Sequence, residues 1–378
     1  MHKISSVLVN KSRPDPTIDD VARTASVGRA TAARALGNYG SVRPTTRATV
    51  LAAAARLGYR KNSVARNVAT GVSNTVGVVL ADIENPFFAS AIRGITDAAH
   101  ESGFHVIVAN TDEDISAEQE VVEMLLEKRV DGILIAPAHA GRISHLNSAN
   151  DGGTPVVLFD RTVPGRRFST VTSNNRTATR AAITRLLDMG HRRICFLTSG
   201  YLTNGRGAGV VPSIASDEVP VSCVQERYAG YVEAHRRAGV PVINSLVRRS
   251  EYSSENACQE VLDLFTTSVL PSAMFCTDTL LAIGLLQAVH TLGLRVPQDL
   301  SIVVFDESPW CKVTSPQLSV VAQPVYEIGA CAARELIKAI RGEQTMPTNK
   351  RIQCEFIARG SVGAVNDDRE PMLDDASS

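Results

Sequence analysis

Between Thr75 and Asp306 the chain repeats one rhythm, a short apolar run followed by an amphipathic stretch long enough for a helix. The runs are TVGVVLADI, FHVIVANT, GILIAPA, PVVLFD, RICFLTSG, INSLVRR, SAMFCT and LSIVVFD. Runs of this kind are apolar on both faces, so they need cover on both sides, and the intervening amphipathic stretches supply it. Residues 74–364 are therefore expected to form doubly wound α/β lobes on parallel sheets. The rhythm divides near Asn175, which implies two similar lobes, and LSVVAQP near Ser319 is placed to return the chain to the first sheet.

The start of the chain has a different texture. Residues 1–16 hold two prolines and no sustained period, so a disordered leader is expected there. From Thr17, Ile18, Val21, Ala22 and Ala25 recur at helical spacing, Ser26-Val27-Gly28 breaks the pattern, and Ala30, Ala33 and Leu36 resume it. A third helix is expected to begin after Val42-Arg43-Pro44-Thr45 and to run through Val50, Leu51, Ala54 and Leu57 to Gly58, its stop. Residues 17–60 thus read as a helix-turn-helix unit. Residues 61–73 are polar and too short to be a stable helix alone, so they read as a linker helix that forms conditionally. Residues 201–221, rich in Gly, Ser and Pro, read as an inserted surface loop, and the acidic stretch 365–378 as a disordered tail.

Charge follows the same division. Residues 1–70 carry 12 Lys and Arg against 3 Asp, while the remainder carries 27 Lys and Arg against 36 Asp and Glu. A basic head on an acidic body suits a protein whose head alone meets phosphate. The seven cysteines are widely spaced with no C-x-x-C, and the eight histidines show no ligand spacing, so neither a metal nor a cofactor is expected. No apolar run reaches membrane length and no export signal opens the chain, so residence in the cytoplasm is expected.

In a helix-turn-helix the second helix places its first turns against base edges in the major groove. Here that helix spans Arg29 to Leu36. Arg29 can fork onto guanine O6 and N7, Ala30 can offer a methyl contact to thymine, Thr31 suits a phosphate, and Arg34 a phosphate or a base. Val27 and Leu36 belong to the unit's core. The alternative is that Arg29 and Arg34 are ordinary solvated helix residues.

T-I-x-D-V-A at Thr17–Ala22, V-x-x-x-T-x-x-R at Val27–Arg34 and T-x-x-x-V-x-x-A-x-x-L-G-Y ending at Tyr59 follow one another in order. They are joined by N-x-x-A-R at Asn62–Arg66, N-P-F-F at Asn85–Phe88, Asp131-Gly132, Asp160-Arg161, G-H-R-R-I at Gly190–Ile194 and G-L-R-V-P-Q-D at Gly293–Asp299. Together these resemble the LacI/GalR (lactose-repressor) family across roughly residues 17–360. The resemblance implies a periplasmic-binding-protein-like type I body, a headpiece that contacts DNA from Thr17 onward, and a linker that becomes a hinge helix when two chains pair on DNA. Asn62, Ala65 and Arg66 fall in that hinge, and Val68 stands where the family has a leucine that wedges a minor-groove step. The chain departs from the family pattern at Gly28 and Ala33, where serines are usual.

Ligands of open α/β sheets collect beyond the carboxyl ends of strands, and two lobes make a cleft that can close on a solute. The resemblance directs attention to Asp82, Asn85 and Phe87, then Asn110 and Thr111, Asp160 and Arg161, Asn175 and Arg180, and finally Arg227, Thr279 and Asp306. Arg180 is matched to an arginine that grips sugar hydroxyls in the family. Thr279 departs from the family's aspartate, with Asp278 one position earlier. Asn85 and Asp160 have an alternative role as caps or turn residues, and Arg161 as the partner of a nearby carboxylate. Trp310, the only tryptophan, either stacks on a ligand or packs in the core.

These features imply a sequence-specific transcription regulator, a repressor in kind. It would bind a palindromic operator as a homodimer under the control of a small molecule, most naturally a sugar. A transporter's solute-binding protein would share the lobes but lack the basic headpiece. A sugar-modifying enzyme is disfavoured by the lack of a G-x-S-x-G elbow, a phosphate loop or a dinucleotide fingerprint.

Overall fold

The computed structural model describes residues 16–37, 39–59, 72–199 and 222–365. The leader before Pro16, the hinge candidates Asn62, Ala65, Arg66 and Val68, the 201–221 loop and the tail after Val365 lie outside the described residues. The chain forms two compact units, Met1–Ser73 and Asn74–Ser378.

The first unit packs three helices, α1 (Ile18–Thr24), α2 (Arg29–Gly37) and α3 (Pro44–Leu57). Thr17 starts α1 with a capping box. Its hydroxyl oxygen accepts from the Asp20 amide, while the Asp20 carboxylate accepts from the Thr17 amide at 2.9 Å. Pro44 opens α3 and Gly58 closes it with φ of 65°, a left-handed conformation that glycine adopts without a Cβ clash. Val21, Ala22, Ala25, Ala32, Ala35, Leu36, Val50, Ala53 and Ala54 fill the centre, with Val27 packed against them. The small alanines let three short helices approach closely enough to share one core.

The second unit holds two sheets. The first contains β1 (Thr75–Leu80), β2 (His105–Asn110), β3 (Gly132–Ile135), β4 (Val156–Phe159), β5 (Ser169–Ser173) and β11 (Asn349–Ile352) in the order β11-β5-β4-β3-β1-β2, every pairing parallel. The second contains β6 (Ile194–Thr198), β7 (Val247–Arg249), β8 (Ala273–Cys276), β9 (Ser301–Phe305), β10 (Ser319–Ala322) and β12 (Glu355–Ile357) in the order β12-β10-β9-β8-β6-β7, with only β12 antiparallel. In each sheet the winding reverses beside the first strand of the lobe, between β1 and β3 and between β6 and β8. Those two reversals are where doubly wound sheets open a crevice.

Helices α4 (Pro86–Glu101), α5 (Ile115–Glu127) and α6 (Ser144–Asp151) belong to the first lobe. Helices α7 (Asn175–Asp188), α8 (Ser222–Arg237), α9 (Ser254–Leu264) and α10 (Thr279–Thr291) belong to the second, and α11 (Val325–Ile340) packs back onto the first. Gly94 of α4 and Gly329 of α11 allow that return. A Cβ at either would press into the other helix's backbone, at the carbonyls of Tyr326 and Ala91.

Two expectations need correction. The segment at Ser319 does not rejoin the first sheet, because β10 completes the second sheet beside β9; the chain crosses afterwards, at Gln323-Pro324, and it is β11 that joins the first. Val365, expected to open the tail, still donates its amide to the Met189 carbonyl at 3.1 Å. Strand β5 escaped the sequence reading because STVTS has no apolar run, yet all five of its residues are buried between β4 and β11.

Candidate DNA-reading face and ligand cleft

Helix α2 turns Ala32, Ala35 and Leu36 inward and leaves Arg29, Ala30 and Arg34 exposed on its opposite side. The arginines are not wholly free. Arg29 lies 3.5 Å from Asp19, and Arg34 Nε donates to the Ala30 carbonyl at 3.2 Å. Both contacts are solvent-exposed and worth little, so phosphate or guanine can replace them. Thr31 is half-buried at the base of the same face, and the Gly28 carbonyl accepts the first helical bonds, from Thr31 and Ala32. Thr17, the first of the expected DNA contacts, donates its hydroxyl to Asp20 at 2.7 Å, within its own cap.

In the second unit, Asp160 and Asp306 repeat one device. Each directly follows the fourth strand of its lobe, β4 or β9, within Phe-Asp, and each holds a left-handed backbone, with φ of 61° and 77° respectively. Such φ values are uncommon for residues other than glycine and are tolerated best by Asp and Asn. Burial raises both carboxyl pKa values, that of Asp306 to about 6. Asp278, the side-chain cap of α10, is likewise raised by burial.

Each lobe also directs one arginine to the end of the strand beside its reversal. Arg227 donates through Nη1 to the Thr277 carbonyl at 2.6 Å and through Nε to Asn175 Oδ1 at 2.9 Å. Its guanidinium carbon lies 3.8 Å from the centre of the Phe305 ring. In the first lobe, Arg161 donates through Nη1 to the Pro137 carbonyl at 3.2 Å and grips Glu113 with both terminal nitrogens. The sequence alternative of a carboxylate partner for Arg161 is thus realised, and it is a two-pronged one.

The remaining candidates fall into two sets. Asp82 and Asn110 shape the loop after β1, accepting from the amides of Glu84 and Ile83, both at 2.8 Å. Asn85 caps α4 through its Oδ1, and its Nδ2 reaches across to the Tyr252 hydroxyl of the second lobe at 2.7 Å. Phe87 is buried in the first-lobe core, edge-on to Phe88. Thr279 is buried in the first turn of α10, behind Asp278. Trp310 packs against the second-lobe core, which favours the packing role.

Arg180 is the main correction. It stands a turn and a half into α7, where the helix faces α8, and its Nη1 donates to Glu233 Oε1 at 3.0 Å. Arg176 and Arg237 converge on the same carboxylate, and hydrogen bonds from Arg180 and Arg176 hold its pKa down at about 2. The second lobe's arginine at a strand end is Arg227.

Two residues that hold neighbouring elements in place were missed. Tyr252 follows the three-residue edge strand β7, too short to give a pattern. Glu118 is fully buried on α5 and holds the loop after β3, accepting from the Ala138 amide at 2.7 Å and pairing with His145 Nε2 at 2.8 Å. Its position among the apolar residues of an amphipathic helix gave no sign of that role.

A helix-turn-helix unit with an exposed arginine face, joined in one chain to a two-lobed α/β unit with a polar crevice, defines a ligand-responsive DNA-binding regulator. Residues 17–62 match the profile of bacterial regulatory proteins of the lacI family, and residues 183–362 that of a periplasmic binding protein-like domain. The chain is 34% identical to catabolite control protein A of Priestia megaterium over 327 residues, covering 86% of this chain and 93% of that protein. It is 31% identical to the HTH-type transcriptional repressor CytR of Escherichia coli (strain K12) over 355 residues, 94% and 98% of the two. Among solved structures it resembles a complex of the transcriptional regulator CelR with cellobiose at a TM-score of 0.67 and 27% identity, covering 92% of this chain and 99% of that one. The protein belongs to the LacI family: it is a DNA-binding transcription regulator and not an enzyme. Among the described residues no helix is long and apolar enough to cross a membrane.

Proposed function

We propose that the protein is a cytoplasmic repressor that binds a palindromic operator as a homodimer and changes its affinity when a sugar or sugar derivative enters the cleft of its second unit. The observation that carries this reading is the pair of arginines at the two sheet reversals, Arg161 and Arg227, set among the buried Asp160 and the half-buried Asp278 and Asp306. Carboxylates and guanidinium groups offer the acceptors and donors that a polyol's hydroxyls need. The likeness to a regulator solved with cellobiose supports the same ligand class.

In this reading Arg29, Ala30, Thr31 and Arg34 meet DNA, with Thr17 serving as the cap that fixes α1. Residues 61–73 join the units as a hinge that folds on DNA, with Asn62, Ala65, Arg66 and Val68 against the minor groove. Asp160, Arg161, Asn175, Arg227, Asp278 and Asp306 line the effector site, and Asp82, Asn85 and Asn110 shape its rim. A ligand that binds the closed cleft better than the open one shifts the lobes' equilibrium, and coupling to DNA is then reciprocal.

The test is operator binding, measured on a fragment the protein itself selects, in the presence of a panel of neutral pentoses, hexoses and disaccharides. At least one member should change operator affinity tenfold or more. If none does, while the protein binds its fragment normally, the sugar-sensing reading fails.

A further inference from the structure

The Arg161 guanidinium is shaped to take an anion, because its planar fork matches a carboxylate or phosphate. That fork is already filled from within the chain. Glu113 Oε2 lies 2.6 Å from Nη1 and Glu113 Oε1 lies 2.5 Å from Nη2. Arg161 is buried, and its third nitrogen, Nε, has no hydrogen-bond partner and lies 3.5 Å from Asp160. Glu113, by contrast, keeps 47% of its side chain exposed, so it covers the arginine from the solvent side.

The chain bends sharply to present Glu113. Asp112 and Glu113 are consecutive non-glycine residues in the left-handed region, with φ of 49° and 63°. Backbone strain of this kind persists only where surrounding contacts hold it, and here they are the Glu113 amide bond to the Ala81 carbonyl and the Asp114 amide bond to the Thr111 carbonyl. In the second lobe, Arg227 is occupied by Asn175 and Thr277. Across the cleft four carboxylates, Glu113, Asp160, Asp278 and Asp306, interact with two guanidinium groups, Arg161 and Arg227.

We propose that Glu113 is a resident anion that occupies the Arg161 fork and sets the effector's charge, so that the cleft takes an uncharged or cationic polyhydroxyl ligand and refuses phosphorylated or carboxylated ones. This rests on the cleft being the effector site. An anionic ligand must displace Glu113 from the fork and then sit beside Asp160, whose carboxyl oxygen lies 3.5 Å from Arg161 Nε. A neutral polyol needs no such displacement, because it can donate its hydroxyls to Asp160, Asp278 and Asp306.

Inorganic phosphate is the probe, titrated by calorimetry at constant ionic strength into the full chain, into Glu113→Ala and into Glu113→Ala/Arg161→Gln. Glu113→Ala should bind phosphate at least tenfold more tightly than the parent, and the double variant should lose the gain. Glu113→Gln, which keeps the side-chain volume, repeats the measurement should the alanine form lose its native circular dichroism. Equal phosphate affinity in the parent and both single variants, including no binding by any, overturns the proposal, as does a gain that survives loss of Arg161. These arms read Arg161 directly, whereas failure of every neutral sugar to alter operator binding speaks against the sugar-sensing reading instead.

Discussion

Arg227 Nε donates to Asn175 Oδ1 at 2.9 Å, tying the body of α8 to the first residue of α7 directly beyond the point where the chain leaves the first lobe. Three strands of chain cross there. The Asn174 side chain donates to Gln353 and accepts from the Cys354 amide, and Ser173 pairs with Gln323. An arginine that touches both the cleft and the base of this crossing is well placed to link ligand to lobe movement.

Replacing Arg227 with Lys keeps the charge but cannot reproduce the two directed bonds and the stacking on Phe305. The variant should lose at least tenfold in affinity for whichever sugar acts on the parent, read by calorimetry. Arg180→Ala should leave that affinity within about twofold, because Arg180 serves Glu233 on the helix pair. Equal losses in the two variants would remove the distinction drawn between them.

Asp306 gives a pH signature. Burial raises its pKa from 3.8 to about 6, so the folded state holds a proton that the unfolded state has released across that interval. Its contribution to stability is fully present below pH 3.8 and is lost as pH rises through 6. Asp306→Asn should therefore gain on the parent by on the order of 2 kcal/mol between pH 4 and pH 7. Denaturant unfolding at the two pH values checks it, and a difference that does not change with pH contradicts it.

How much of this was legible in the residues depended on whether periodicity or long-range contact decides the role. The start of the headpiece at Thr17, the Gly58 stop and most central strands follow from local pattern, and the structure has them within a residue or two. Strand β5 was hidden because its polar residues are buried by neighbours rather than by its own apolar character. Arg180 and Arg227 cannot be told apart by spacing, since only the packing of α7 on α8 turns one toward Glu233 and the other toward Thr277. Glu113 was not singled out, because nothing local in the sequence points to Arg161, 48 residues on.

The return of α11 to the first lobe depends on close approach at two glycines. Gly329→Ala would set a methyl group against the Ala91 carbonyl and force the helices apart. Overpacking of this kind costs about 1–3 kcal/mol. A lower thermal midpoint with unchanged headpiece helicity is expected, and an unchanged midpoint would show that the helices can separate freely.

At the DNA-reading face, Gly28 has open space where a Cβ would stand, and no left-handed backbone to forbid one. Gly28→Ser should add an N-terminal cap to α2, worth a few tenths of a kcal/mol relative to glycine, and a hydroxyl for a phosphate. Operator affinity should rise, and a fall would show that the serine clashes with DNA.

The central claim is that the exposed arginine face of α2 reads a two-fold symmetric DNA sequence. Genomic fragments recovered on the full-length protein and footprinted at the tightest site test it most directly. The predicted result is protection of an inverted repeat, with Arg29→Ala losing both affinity and preference and showing a shallower dependence on salt. Fragments that share no inverted repeat, or an Arg29→Ala protein with the parent's affinity and preference, would contradict it.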